Sequence, residues 1–272
     1  MFQQFAHSAA QLMAVPACVL SFVSGLEQSS PGTKMLASLK RNLKTRLLAH
    51  VDREVQAAVR DIELARQRSA TKQSAEFVDK YMKMAGSYPD KFALLKAALA
   101  HVKVQGLFCE FGVYSGTTIN FIASQTANEV HGFDSFEGLP EDWRAGHEKG
   151  KFKLQSLPTV RPNVRLHKGW FEHTIPPFRD KYRGPLAFVH FDADLYSSTR
   201  TIFDMLGDCI VPGTVMQFDE FFNHPNWVEG EYKAFSEFCA AYEVVVNFLG
   251  FTHSDEQVAM KVLQRVAPKA SL

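Results

Sequence analysis

From about residue 90 the chain alternates between short apolar runs, rich in β-branched and aromatic residues, and longer stretches of helical spacing. The runs are "GLFCEFGV" (106–113), "EVHGFDSF" (129–136), "NVRLHKG" (163–169), "GPLAFVHFDAD" (184–194) and "CIVPGTVMQFDEF" (209–221). Helical segments such as "TTINFIASQTA", 197–207 and 230–241 fall among them. Strands separated by helices cannot close as hairpins and must run parallel through crossovers. Two further runs, 242–250 and 257–266, are joined by only a few residues and suit an antiparallel edge pair. The predicted fold class is therefore α/β, a doubly wound, mostly parallel seven-stranded sheet of Rossmann-like type with an N-terminal helical extension.

The extension divides in two. Residues 1–33 end in the turn-forming "SSPGT" and read as an arm. Residues 34–68 read as one helix, with Leu36, Leu39, Leu43 and Leu47 at helical spacing and nine Lys/Arg against four Asp/Glu. Such a helix can lie on an anionic membrane, but a solvated face whose leucines pack on the domain or on a second subunit is the stronger reading. The expected boundary puts the arm and basic helix at 1–80 and the sheet domain at 81–272. The apolar segment 8–26 has no basic residues before it and is interrupted by Pro16, which argues against a signal peptide or membrane span. A formal net charge of +1 gives no electrostatic reason to expect nucleic acid. Four scattered cysteines without a CxxC spacing argue against zinc and favour a reducing, cytoplasmic setting.

Three stretches carry chemistry. "EFGVYSGTT" places Gly112 and Gly116 between a strand and a helix, where glycines let a ligand approach backbone and a helix N-terminus. Its spacing is not GxGxxG. An acid followed by glycines at this spacing is the pattern of S-adenosylmethionine (SAM)-binding sheets, and an ordinary tight turn is the alternative. Asp134 ends the next strand, where a carboxylate can accept ribose hydroxyls or merely form an Asx turn. Asp192 and Asp194 end the fourth strand, and Asp219 and Glu220 the fifth. Adjacent strands lie ~4.8 Å apart, so neighbouring ends would bring Asp192 opposite Asp219 and Glu220. Clustered carboxylates repel unless a cation sits among them, and oxygen-only ligands favour Mg²⁺ over softer metals. The competing reading is helix capping with pairing to Arg200 or Lys233.

The segments "LFCEFGVYSGTTINFIA", "VHGFDSFEGLPEDW", "KGWFEHTIP", "FVHFDADLYSST" and "PGTVMQFDEFF" together resemble the macrocin O-methyltransferase family, over about residues 80–250 and in family order. The resemblance implies a class I, SAM-dependent, Mg²⁺-dependent enzyme that methylates hydroxyls of deoxysugars. It implies that Glu110, Gly112 and Gly116 line the methionine part of the cofactor and that Asp134 holds its ribose. Tyr114, Ser115, Ser135 and Trp170, within the same motifs, complete the expected cofactor site. Asp192, Asp219 and Glu220 are the implied Mg²⁺ ligands, with Glu220 departing from the two aspartates usual at the pair. Asp194 matches a position suggested as general base, so that Asp192 and Asp194 are the implied catalytic acids.

Substrate selection is expected outside the sheet. The polar link 138–160 can act as a lid carrying Trp143 and His147, while Trp227 and Tyr232 can shape an acceptor pocket. The expected partner is a small-molecule hydroxyl acceptor, a sugar foremost, in a homo-oligomeric enzyme. A catechol-like or lipid- or glycan-linked acceptor is the nearer alternative. A nicotinamide-dependent oxidoreductase is the remoter one, lacking both GxGxxG and a Tyr-x-x-x-Lys pair.

Overall fold

The computed structural model describes residues 31–266, so the expectations for most of the N-terminal arm and for segment 8–26 fall outside it. The chain divides into two compact units, Met1–Asp61 and Ile62–Leu272. The described part of the first is helix α1 (Pro31–Arg60), along which Leu36, Leu39, Leu43 and Leu47 are exposed. The expected single helix over 34–68 is instead two, because Asp61 interrupts it before α2 (Ile62–Tyr81). Ala70, Ser74, Phe77 and Val78 follow helical spacing on α2 and pack into the sheet domain's core. The second unit therefore starts at Ile62, earlier than the expected boundary at residue 81.

The remaining elements are β1 (Gly86–Tyr88), α3 (Lys91–Ala100), β2 (Leu107–Phe111), α4 (Thr117–Ser124), β3 (Val130–Asp134), β4 (Val164–Lys168) and α5 (Phe171–Lys181). They continue with β5 (Leu186–Phe191), α6 (Tyr196–Leu206), β6 (Ile210–Phe218), α7 (Glu231–Tyr242), β7 (Val245–Thr252) and β8 (Val258–Gln264). Among the described residues, eight strands form one sheet of order β1-β7-β8-β6-β5-β2-β3-β4. The α/β doubly wound expectation holds, with eight strands instead of seven. The extra strand, β1, is only three residues long and pairs parallel to β7. It has no apolar alternation to announce it. The Tyr88 ring lies where a side chain on either Gly86 or Gly250 would stand. β8 alone runs antiparallel, between β6 and β7, so the final pair is antiparallel as expected but β1 rather than β7 forms the edge.

Alternation along the strands sends side chains to two cores. On one face Phe108, Phe188 and Val215 meet Leu94 and Leu95 of α3 and Ile119 and Ile122 of α4. On the other, Phe178 of α5, Phe203 of α6 and Phe235 and Phe238 of α7 pack against the sheet. This second face carries a row of phenylalanines in register across four strands: Phe133, Phe111, Phe191 and Phe218. Their neighbouring ring centroids are 4.7, 6.3 and 4.5 Å apart, each pair stacked. Stacking at successive strands locks the relative register of β3, β2, β5 and β6 near their carboxyl ends.

Candidate active site

One residue beyond that row, β2, β5 and β6 deliver Gly112, Asp192 and Asp219, while Asp134 directly follows Phe133 at the end of β3. The ladder continues into these ends. Gly112 N donates to the Phe133 carbonyl at 2.9 Å, Asp192 N to Phe111 O at 2.9 Å and Asp219 N to Phe191 O at 2.8 Å. The strand order reverses between β3 and β5 on either side of β2, which is where open α/β sheets form their ligand crevice. A cavity of about 890 Å³ occupies that crevice. Its wall includes Gly112, Tyr114, Ser115, Asp134, Ser135 and Trp170 of the expected cofactor set, and all four acids Asp192, Asp194, Asp219 and Glu220.

The loop after β2 approaches β5 so closely that only glycine fits. Gly112 has φ +90°, and a Cβ there would stand 1.7 Å from the Asp192 carbonyl oxygen. Gly116, at φ +79°, opens α4 without a side-chain cap, leaving the helix start free toward a ligand. Thr117 and Thr118 line the cavity beside it, whereas Gly116 itself does not. Asp134 braces the loop. Its Oδ2 accepts Val113 N at 2.9 Å and Tyr114 N at 2.7 Å, and its Oδ1 accepts Phe136 N at 2.6 Å. A carboxylate has about four lone-pair positions, so three are spent on backbone and little capacity remains for two ribose hydroxyls. The Asx-turn reading of Asp134 therefore holds, while the residue also lines the cavity.

Glu110 corrects an expectation. It is fully buried and absent from the cavity wall, because alternation along β2 turns it inward beneath the crevice. There His190 Nδ1 lies 3.0 Å from its Oε1, while His190 Nε2 lies 3.6 Å from Asp219 Oδ1. Burial opposes the charged imidazole, but Asp219 and Glu110 on either side push its pKa up to about 10. Lys91, the first residue of α3, places Nζ 3.1 Å from Asp219 Oδ2 and 4.0 Å from Asp192 Oδ2. Burial would raise the Asp219 carboxyl, yet His190 and Lys91 outweigh it and hold the pKa below the usual range. The acids are therefore countered by Lys91 and His190. The sequence-level candidates Arg200 and Lys233 pair elsewhere, with Asp204 and Glu237 and with Glu229.

The other acids are left less well matched. Burial, then Asp219, raises the Asp192 pKa. Burial and the neighbouring Asp194, Asp219, Asp192 and Glu231 raise Glu220 well above a normal glutamate. Burial and Asp219 push Asp194 up to about 7, and its backbone adopts φ +61°, left-handed for a non-glycine residue. Glu231, fully buried at the start of α7, ties the two acid loops together. Its Oε1 accepts Ala193 N at 3.4 Å and the Thr199 hydroxyl at 3.3 Å, and its Oε2 accepts Glu220 N at 3.2 Å. Burial pushes its own pKa up to about 8.

Among the described residues, two groups that could ligate a metal share Asp192: His190, Asp192 and Asp219 in one, and Asp192, Asp194 and Glu220 in the other, with donor atoms within 4.8 Å of one another in each. The Glu220 Oε2 atom is buried without a hydrogen-bond partner. Oxygen donors and an orphaned carboxylate oxygen fit a hard divalent cation. Asp219 and Glu220, expected to act as one pair with Asp192, fall in different groups.

The lid residues stand where expected, and the acceptor aromatics do not. Trp143 and His147 line the cavity. Arg144 donates to both Glu256 oxygens at 3.0 and 3.1 Å, tying the 138–160 link to the β7–β8 turn, and stacks 3.8 Å over the Trp143 ring. Trp227 and Tyr232 instead pack around Phe77 in the core, with ring centroids 5.9 and 5.6 Å away. Their aromatic surface is worth more buried against α2 than lining a polar crevice. Sequence reasoning missed Lys91, His190 and Glu231. The only visible signals were a lysine after the cap residue Asp90 and a histidine inside an otherwise apolar strand.

Residues 109–221 match the model of a methyltransferase domain. The chain is 32% identical over 143 residues to the 8-demethyl-8-(2,3-dimethoxy-α-L-rhamnosyl)-tetracenomycin-C 4′-O-methyltransferase of Streptomyces olivaceus. That match spans 43% of this chain and 54% of the relative, about half of the relative's length. Among solved structures, the calicheamicin methyltransferase CalS11 superposes with a TM-score of 0.50 at 20% identity, covering 62% of this chain and 77% of that one. The O-methyltransferase NovP superposes with a TM-score of 0.51 at 19% identity, covering 64% and 79%. At that identity the structures speak to fold, and the fold agrees with the family resemblance of the motifs. Residues 109–221 thus resemble a methyltransferase domain, and the chain shares the fold of these two methyltransferase structures.

Proposed function

We propose that the protein is a SAM-dependent, Mg²⁺-dependent O-methyltransferase acting on a hydroxyl of a sugar or glycosylated small molecule. The observation that carries this reading is the register of four strand ends, which brings the Gly112 loop, Asp134 and the acids of β5 and β6 into one crevice. Support for a sugar acceptor comes from the rhamnosyl 4′-O-methyltransferase relative.

In this reading Gly112, Tyr114, Ser115, Asp134, Ser135 and Trp170 hold SAM, with Gly116 opening the helix behind it. Glu110 acts from beneath, by orienting His190. Asp192 would hold the divalent ion together with Asp219 or Glu220, which fall in separate candidate groups around it, and Asp194 lies beside Asp192 and Glu220 in the second. When bound, SAM supplies an electrophilic methyl group and the ion supplies the charge that acidifies an acceptor hydroxyl. Asp194, at the end of β5 beside Asp192, takes the hydroxyl proton as the acceptor oxygen attacks. The crevice walls hold the acceptor oxygen in line for displacement, and the 138–160 link excludes water. A homo-oligomer in the cytoplasm completes the proposal, and no described helix is long and apolar enough to cross a membrane.

The test is transfer from methyl-labelled SAM to a panel of glycosides, free sugars and catechols, with and without EDTA. The reading expects label on a glycoside hydroxyl, lost with EDTA and restored by Mg²⁺. Label on catechols alone would replace the acceptor class, and binding of NAD without SAM would overturn the activity.

A further inference from the structure

Lys91 stands in an unusual place for a lysine. Its ammonium reaches the same crevice as Asp192 and Asp219, donating to Asp219 Oδ2 at 3.1 Å and standing 4.0 Å from Asp192 Oδ2, and it lines the cavity. These two carboxylates also belong to the ligand group with His190. A divalent ion bridging them would sit ~2.0–2.6 Å from their oxygens. An ammonium 3.1 Å from one of those oxygens would then lie against the ion, cation on cation.

We propose that Lys91 is the protein's own cation for this cluster, and that a divalent ion and the Lys91 ammonium compete for the same oxygens of Asp192 and Asp219. Entry of the ion expels Lys91 into the cavity, and loss of the ion returns it. The inference rests on the metal-dependent reading above. The local structure permits the swing. Lys91 is the first residue of α3, so its four-carbon stem departs from a helix end. The backbone there is held independently, by Asp90 Oδ1 accepting Phe92 N and Ala93 N at 2.9 Å each. Nor does departure strip Asp219 of every positive neighbour, since His190 remains on its other oxygen. The consequence is a metal-free protein whose acids are part-neutralised, and a metal-loaded one with a free ammonium beside the acceptor space.

The experiment uses full-length protein and Mn²⁺ as the probe. Free Mn²⁺ is read by electron paramagnetic resonance, and the rate of Lys91 acylation by an N-hydroxysuccinimide ester is read by peptide mass spectrometry. Expected are faster Lys91 acylation when Mn²⁺ is bound, and Mn²⁺ binding tightened about tenfold or more in Lys91→Met, the gain from removing a resident competitor. Lys91→Arg, which keeps the charge, should bind Mn²⁺ no more tightly than wild type and guards against a folding defect in the methionine variant. Acylation that is unchanged or slowed by bound Mn²⁺, together with unchanged or weakened binding in Lys91→Met, overturns the competition and leaves the metal site standing. Absence of Mn²⁺ binding in both wild type and Lys91→Met overturns the competition and the metal-dependent reading together.

Discussion

Gly112 shows how little freedom a single position here retains. With φ +90° and the Asp192 carbonyl where a Cβ would go, Gly112→Ala must push apart the β2 and β5 ends that frame the crevice. We expect a loss of about 3 kcal/mol or more and loss of SAM binding, measured by denaturant unfolding and calorimetry. Asp192 is a different case, since both ligand groups include it. Asp192→Asn should abolish metal-dependent turnover while leaving SAM affinity within a few-fold of wild type, a result read from radiolabel transfer and calorimetry on the same preparation. His131, buried between His167, Phe178 and Tyr182, tests the electrostatics away from the crevice. Burial, with nearby His167, lowers its pKa to about 4. The unfolded chain, with a histidine pKa near 6.5, binds more protons between pH 6.5 and 4. Acidification across that window therefore removes stability, by up to about 3 kcal/mol from this group. His131→Phe should flatten that part of the pH–stability curve, a difference visible in urea midpoints at pH 7.5 and pH 5. The acids and glycines of the site were legible from the sequence because their types and spacing are unusual at strand ends. Lys91 and His190 were not, because one belongs to a helix more than a hundred residues from Asp219 and the other looks like one polar residue in an apolar run.

Among the elements, α2 was the least legible. Its charged and polar residues together outnumber its apolar ones, and the stripe of Ala70, Ser74, Phe77 and Val78 reads as weak until its partner surface is known. Small residues allow the helix to approach, and Phe77 enters a nest of rings from Tyr81, Phe221, Trp227, Tyr232 and Phe248. Phe77→Ala should cost about 2–3 kcal/mol, at the low end for aromatic truncation because Phe77 is half-buried. A chain beginning at Ile62 should keep the thermal midpoint of the sheet domain, and one beginning at residue 82 should not. Scanning calorimetry on the two truncations distinguishes a domain that includes α2 from one that starts after it. The strands β2, β3, β5 and β6 were readable because both faces are covered and their runs are nearly all apolar. β1 was unreadable because three residues carry no period.

At the scale of the whole molecule, the crevice is assembled from β2, β3, β5 and β6 and closed by a link pinned to the β7–β8 turn. The pin is the Arg144–Glu256 ion pair, partly exposed and so modest in energy. Arg144→Ala should leave the thermal midpoint nearly unchanged while raising the acceptor KM several-fold and speeding proteolysis within 138–160. The alternation of apolar runs and helical segments determined the α/β class, the parallel core and the identity of the strand-end acids, since those follow from local periodicity and from the cost of burying charge. Tertiary structure alone decided which cations answer those acids, that Glu110 lies beneath the crevice and Trp227 in the core, and that Asp219 and Glu220 fall in separate ligand groups. The reason is physical: period and composition are properties of neighbours in the chain. Charge compensation at this site is instead set by Lys91 and His190, which the strand register and the packing of α3 bring together only after folding.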